Sequence, residues 1–433
     1  MRQKRNVIIG LDGMPYSLIR DLSENGTLPN VNALISDGSF RPMTSSIPEI
    51  SSVAWSSIIT GKNPGEHGIF GFSDLMPGTY GVVYPNFNSL KATPFWETSD
   101  KNKAVIINVP STYPARRLNG ILISGFVALD LKKATYPTSL VPELERLDYR
   151  LDVDSEKAHQ SIEFFLRDLA STLQARIAAY RYLWSKEDWR TFMLVFTGTD
   201  RLAHFLWEAY EDKAHKYHRV FLEHLRQIDG VIGEIANKID DGDLLILLSD
   251  HGFERLERNV YINFILQQEG FLKFERGSSN LKHIHSDTQA FALDPARIYV
   301  NMQGKYPRGS IVPSVREAVL EALTTLFEDL AIEGKRVIRH IYRKEEVYKG
   351  PFMAQAPDLV LEGDKGFNLR ATTNAKTLSG GDLFTGKHSQ PDAFLLVKGA
   401  LDECSLPDEP DVTDVVPLLT RMGRGGQCGN RRP

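Results

Sequence analysis

Five short runs rich in Val, Ile, Leu and Phe, at 7–11, 104–109, 192–196, 244–248 and 394–397, recur along the chain with helical pattern between them. This alternation constrains the fold more than any other feature. Unbroken apolar character over such a short run is what a strand buried on both faces requires, since helices cover a parallel sheet from both sides. An α/β fold is therefore expected, with a mostly parallel central sheet flanked by helices on both faces. Ligands of such sheets gather beyond the carboxyl ends of the strands.

Helical segments show as apolar residues three and four apart. Ile162, Phe165, Leu166, Leu169, Leu173, Ile177 and Tyr180 predict one helix over 156–185. Leu225, Ile228, Ile232, Ile235 and Ile239 predict a second. Pro313 with the capping-box pattern Ser314 to Glu317 starts a third, whose expected buried stripe is Val315, Val319, Leu323 and Leu326. At 433 residues the chain exceeds the size at which one core stops growing. The stretch 254–349 mixes short elements, has a Gly-Ser-Ser loop at 277–279, and reads as an insertion. The expected division is a core of 1–253 with 350–433, carrying 254–349 as a cap that covers the site and sets specificity. The Gly- and Arg-rich tail, 421–433, is expected to fray.

Composition excludes several functions. Lys+Arg 51 against Asp+Glu 55 leaves a formal charge of -4, without the basic excess that a nucleic-acid polymer would favour. The apolar runs fall far short of the roughly 18 residues of a membrane helix. Residues 1–6 are basic, but the run behind them is too brief for a secretory signal, so a cytoplasmic location is expected. Cys404 and Cys428 are the only cysteines, which excludes a thiolate zinc site. Any metal must be held by His, Asp and Glu.

Residues with that chemistry sit beside the strands. Asp12 closes the first run, where a carboxylate has no packing role. Asp200 and His204 follow the third run four apart, on one face if the segment is helical. Ser249-Asp250-His251-Gly252 ends the fourth, and Gly386-Lys387-His388 precedes the fifth. Taken singly, each is as well explained as a turn or cap residue. Taken together, three carboxylates and three imidazoles suit two ions such as zinc, manganese or iron. His215, His218 and His224 read as solvated surface residues, and His283 and His285 as loop residues of the insertion.

Ser51 stands just before an apolar helical run that ends at Thr60-Gly61. Its plain reading is an N-cap. The same position favours a phosphate-like anion, so a hydroxyl there can attack phosphorus, with Ser52 the closest rival and Ser56 and Ser57 behind it. Gly381 to Lys387 begins like a P-loop, but His388 follows the lysine and a strand follows in place of a helix. A P-loop is excluded.

In order along the chain stand Ile8-Ile-Gly-Leu-Asp12-Gly13, Ser51 before Thr60-Gly61, Pro64-Gly-Glu-His67-Gly68, Asp200 with His204, Asp250-His251-Gly252 and Gly386-Lys387-His388. Through these motifs the chain resembles the alkaline phosphatase superfamily, and within it the type I phosphodiesterase/nucleotide pyrophosphatase branch, over roughly 5–130 and 190–400. The resemblance implies two divalent ions, zinc foremost and manganese or iron otherwise. One is held by Asp200, His204 and His388, the other by Asp12, Asp250 and His251, with Ser51 as metal ligand and catalytic nucleophile. It implies hydrolysis of a small-molecule phosphate ester, a phosphodiester or nucleotide pyrophosphate, through a phosphoryl-Ser51 intermediate. Phosphomonoesterase, phosphonate hydrolase and phosphomutase activities use the same parts. A non-catalytic metal-binding scaffold is the reading from another class, opposed by the cost of retaining a buried charged cluster.

One position departs from the branch. Phe72 stands where its nucleotide pyrophosphatases carry a phosphate-binding Asn, and a Phe ring donates no hydrogen bond. Oxyanion donors must then come from backbone N–H groups of Ser51 or Ser52, or from Lys62 or Lys387. The sulfatase maturation pattern is missing after Ser51. Phe72, Trp55 and the insertion's aromatic residues are expected to stack on a leaving group or to fill the interface of cap and core.

Overall fold

A computed structural model describes residues 4–98, 102–154, 156–399 and 406–422. Cys404, Cys428 and the tail 423–433 lie outside the described residues. The chain forms two compact units. The first is 1–62, 86–253 and 388–433, and the second is 63–85 and 254–387. The second unit thus takes in 350–387 and the separate segment 63–85, beyond the 254–349 expected of an insertion.

An eight-stranded sheet forms the centre of the first unit. In chain order its strands are β1 (Asn6–Leu11), β2 (Ser39–Met43), β3 (Ala104–Val109), β4 (Gly120–Ser124), β5 (Thr135–Tyr136), β6 (Thr191–Phe196), β7 (Leu244–Leu248) and β8 (Ala393–Lys398). They lie side by side as β2-β8-β7-β1-β6-β3-β4-β5. From β7 to β4 neighbouring strands run parallel, while β8, β2 and β5 are antiparallel additions at the edges. All five apolar runs are strands of this sheet, with β1, β6 and β7 buried at its middle. Their register pairs Leu11 with Phe196 and Gly10 with Leu248, so the chain leaves all three strands at one level.

Four helices of this unit matter for the site: α1 (Ser51–Thr60), α2 (Ile162–Lys186), α3 (Gly198–Glu211) and α4 (His218–Ala236). The helix expected over 156–185 is broken at Ser161, whose extended backbone and side chain cap α2 by accepting the N–H of Glu163. A short helix, Glu156–Gln160, precedes that break. Ile239 lies past the end of α4, and His224, expected on the surface, is buried in it at 7% exposure. His215 and His218 are partly exposed, and His218 Nδ1 pairs with the Ala209 carbonyl.

The second unit has its own core. Four antiparallel strands, Ala290–Leu293, Arg297–Val300, Leu359–Gly363 and Ile338–Arg343, form its main sheet in that order. The helix Pro313–Glu328 packs on them through Val319, Leu320, Leu323 and Phe327. Val315 is exposed and Leu326 only partly buried, so the buried face is turned from the expected stripe toward Leu320 and Phe327. The expected capping box does not form: Val312 holds the cap position and no side chain caps the helix. His67 belongs to this unit, buried at the end of a short helix capped by Asn63, where its Nδ1 accepts the Ile69 N–H. Burial holds its imidazole down at about 3, and therefore neutral. Lys387 is buried and paired with Glu254 at 2.7 Å.

Candidate functional site

The carboxyl ends of β1, β6 and β7 deliver the first groups. Asp12 follows β1 and Asp250 follows β7, both buried. Gly13 turns the chain after Asp12 at φ 67, a region open to glycine, and its N–H donates to Asp250 Oδ1 at 3.0 Å. Helix α3 starts directly behind β6 and carries Asp200 and His204 one turn apart on one face. Thr199 Oγ1 ties this helix to β1 by donating to the Asp12 carbonyl at 2.6 Å.

The imidazoles are oriented by backbone. His388 Nδ1 lies 2.9 Å from the Glu49 carbonyl and His251 Nδ1 3.0 Å from the Gly252 carbonyl. A proton on Nδ1 leaves each Nε2 lone pair directed inward, the usual arrangement of a ligating histidine. His388 Nε2 is 3.2 Å from Asp200 Oδ1 and 3.0 Å from His204 Nε2. His251 Nε2 is 3.3 Å from Asp250 Oδ2 and 3.7 Å from Asp12 Oδ1.

Two triads can thus hold a metal. Asp12, Asp250 and His251 form one, and Asp200, His251 and His388 the other, with ligand atoms in each within 4.8 Å of one another. His204 stands beside the second, 3.4 Å from Asp200 Oδ1. The structure therefore brings together all six Asp and His residues singled out in the sequence, with His251 common to both triads. Their donors are hard carboxylate oxygens and borderline imidazole nitrogens, a set suited to divalent zinc, manganese or iron. Asp250 Oδ2 is buried with no hydrogen-bond partner, as an oxygen aimed at a cation would be.

Electrostatics agree with that fit. Burial, then Asp250 and Asp200, push the Asp12 carboxyl well above its ordinary value. Burial with Asp200 pushes Asp250 up to about 7. Burial would raise Asp200 as well, but His204, His388 and Arg201 outweigh it and hold that carboxyl low. Burial and His388 hold the His251 imidazole down at about 4. Asp12 and Asp250, which resist ionisation, and His251, which resists protonation, share a desolvated site.

Ser51 is the first residue of α1, with Ile50 in the cap position, so its side chain is free of the N-cap role expected of it. Its Oγ lies 3.3 Å from Asp12 Oδ1 and 3.3 Å from His251 Nε2. Of its rivals, Ser56 Oγ donates to the Ser52 carbonyl, and Ser52 Oγ is buried without a hydrogen-bond partner. The N–H groups of Ser51 and Ser52 precede the first helical hydrogen bonds, which Val53 and Ala54 donate to the Ile50 carbonyl.

Four residues contribute in ways the sequence analysis did not assign. Trp55 is fully buried, which removes it as a platform for a leaving group, and its Nε1 donates to Asp12 Oδ2 at 3.1 Å. Gly10 makes room for it, since a Cβ there would meet Trp55 Cη2 at 2.4 Å. A glycine inside an apolar strand was the available signal. Arg201 bridges Asp200 at 3.2 Å and Asp152 at 2.8 Å. Phe253 packs its ring against His204 and His388, with centroids 4.8 Å and 5.3 Å away.

Comparison with known proteins bears on the fold and the family. Murine ectonucleotide pyrophosphatase/phosphodiesterase 5 is 15% identical, with 97% of this chain and 95% of that one covered and a TM-score of 0.57. Its human counterpart is 15% identical, covering 99% and 97% at a TM-score of 0.57. Phosphonoacetate hydrolase from Sinorhizobium meliloti 1021, solved with phosphonoformate, is 15% identical, covering 97% and 96% at a TM-score of 0.65. These likenesses establish the fold, an α/β core of the alkaline phosphatase kind. A search of curated proteins gives no match. The family model for type I phosphodiesterase / nucleotide pyrophosphatase matches residues 6–389. The chain belongs to that family and is an enzyme of its kind, a phosphoric ester hydrolase.

Proposed function

We propose that the chain hydrolyses a small-molecule phosphate ester, of the phosphodiester or nucleotide pyrophosphate type, with Ser51 as nucleophile and two divalent metal ions, zinc foremost, as cofactors. The observation that carries this reading is the placement of Ser51 Oγ, 3.3 Å from Asp12 and from His251 at the first turn of α1. Asp200, His204 and His388 would hold one ion, and Asp12, Asp250 and His251, with Ser51 Oγ, the other. Such ions, when bound, supply Lewis-acid charge and lower the pKa of the Ser51 hydroxyl.

The chain's own groups do the rest. Ser51 Oγ, its proton lost to solvent, attacks phosphorus while the bond to the leaving oxygen breaks; the phosphoryl group stays on Ser51 with its remaining substituent, and the leaving alcohol or phosphate departs with a proton from water. The N–H groups of Ser51 and Ser52, with the positive end of the α1 dipole, face the charge that develops on the phosphoryl oxygens. Trp55 holds Asp12 in place, and Arg201 does the same for Asp200. Water then attacks phosphorus, the bond to Ser51 Oγ breaks, and the hydroxyl returns. The stretch 254–349 would set specificity.

The test is turnover of an aryl phosphodiester by the full chain with zinc or manganese, repeated with chelator and with Ser51→Ala. Turnover abolished by both is expected, whereas full activity of Ser51→Ala would remove Ser51 from the mechanism. Aryl phosphomonoester, AMP esters and phosphonoacetate run in parallel. Solved neighbours with AMP and with phosphonoacetate make the last two informative, and turnover of phosphonoacetate alone would favour the second reading, a phosphonate hydrolase.

A further inference from the structure

A small cavity lies at the start of α3, away from the Ser51 cluster, lined by Leu169, Thr172, Arg176, Thr197, Gly198 and His224 among others. It offers about 10 Å³ to the centre of a water-sized particle, about the least that one small occupant needs. Thr172, Arg176 and His224 are 5%, 2% and 7% exposed, and each has a polar atom without a hydrogen-bond partner: Oγ1, Nη1 and Nε2. Thr172 and Arg176 stand four apart on α2, on one face. His224 comes from α4, and its Nε2 lies 3.4 Å from where a Cβ on Gly198, the first residue of α3, would be.

Charge decides between a water and an anion as that occupant. Arg176 Nη2 donates to the carbonyls of Arg150 and Leu151, and among the described residues the guanidinium makes no ion pair. Neighbouring acids are already committed: Asp168 to Arg150 at 2.8 Å and Lys157 at 2.6 Å, and Asp152 to Arg201 at 2.8 Å. A buried cation without a counter-ion is costly. Arg176 can only donate, Thr172 and the Nε2–H tautomer of His224 also donate, and the N-terminus of α3 adds positive potential. A water brings two protons that such a lining does not need, whereas an anion accepts from every side. Leu169 and His224 also line an outer groove that carries Arg219, Arg226 and Glu223, the last 3.7 Å from Arg226.

We propose that this cavity binds one monovalent, halide-sized anion, chloride in the first instance, held by Arg176, Thr172 and His224 at the N-terminus of α3. The anion neutralises Arg176 and anchors the start of the helix that carries Asp200 and His204. Its binding is independent of the hydrolytic reading, so the two stand or fall separately.

Bromide is the probe. Crystals of the full chain grown in sodium bromide are expected to show an anomalous peak within hydrogen-bond reach of Arg176, Thr172 and His224. In solution, Tm is expected to rise saturably by about 2 °C in chloride or bromide over gluconate at constant ionic strength. Thr172→Val, close in shape, is expected to weaken half-saturation about tenfold through loss of one donor to a charged acceptor. If Arg176→Leu does not fold, the wild-type map and melting series decide alone. A neutral water in place of bromine, or a Tm indifferent to halide, overturns the proposal.

Discussion

Buried charge is handled differently in the second unit and at the ends of β1 and β7 in the first. In the second unit every principal buried charge has its partner. Arg297, fully buried, pairs with Asp74 at 2.5 Å and donates to the Asp294 carbonyl. Asp358 is held by Arg316 at 2.8 Å and Lys344 at 2.9 Å, and Glu362 by Arg339 at 3.1 Å. In the first unit Asp12 and Asp250 are as deeply buried, yet among the described residues neither meets a Lys or Arg in an ion pair, and both carboxyls are pushed up. Burial does not distinguish a structural charge from a functional one. What distinguishes them is whether the protein supplies the counter-charge or leaves it to a ligand.

The contrast can be broken most forcefully at Asp250. Asp250→Asn keeps an oxygen for the Gly13 N–H but removes the charge at the unpartnered Oδ2. Phosphodiester turnover is expected to fall at least about 10³-fold while Tm of the chelator-treated chain does not fall. A drop in Tm with activity intact would make Asp250 a structural charge like those of the second unit. Arg297→Met is the reverse case. It strands Asp74 without its cation and is expected to lose about 3–5 kcal/mol in urea unfolding.

Smaller effects sharpen the same division. Trp55→Phe keeps the ring but not the donor to Asp12, so metal affinity and kcat/KM are expected to fall about tenfold with little change in Tm. At Asp358, burial works to raise the carboxyl, but Lys344, Lys305 and Arg316 outweigh it and hold it below its ordinary value. A depressed carboxyl adds stability above its unfolded value, near about 4, which is lost as pH falls through the folded value. Wild type is therefore expected to lose stability below about pH 4 more steeply than Asp358→Asn, as read from acid unfolding followed by circular dichroism.

Much of the fold was legible because strands buried on both faces cannot avoid continuous apolar sequence, and all five runs became strands of one sheet. Asp12, Asp250 and Asp200 were legible for a related reason: a charge at the end of such a strand or at the start of the next helix has no packing partner along the chain. The misreadings share one cause, that short-range pattern carries no tertiary information. His224 stands in a polar stretch, yet its face turns toward Gly198 on another helix. Trp55 reads as core or as a stacking platform, while its polar atom serves Asp12, 43 positions earlier. The second unit gathers 63–85 with 254–387, a joining across more than a hundred residues that no local signal announces.

The central claim is that the first unit leaves its buried carboxylates for metal to neutralise, and counting ions tests it most directly. Zinc bound per chain would be measured by equilibrium dialysis and elemental analysis for wild type, Asp250→Ala and His388→Ala, with folding checked by circular dichroism. The account predicts about two ions in the wild type and about one in each variant. A folded wild type that binds none, or variants that bind as much as the wild type, would contradict it.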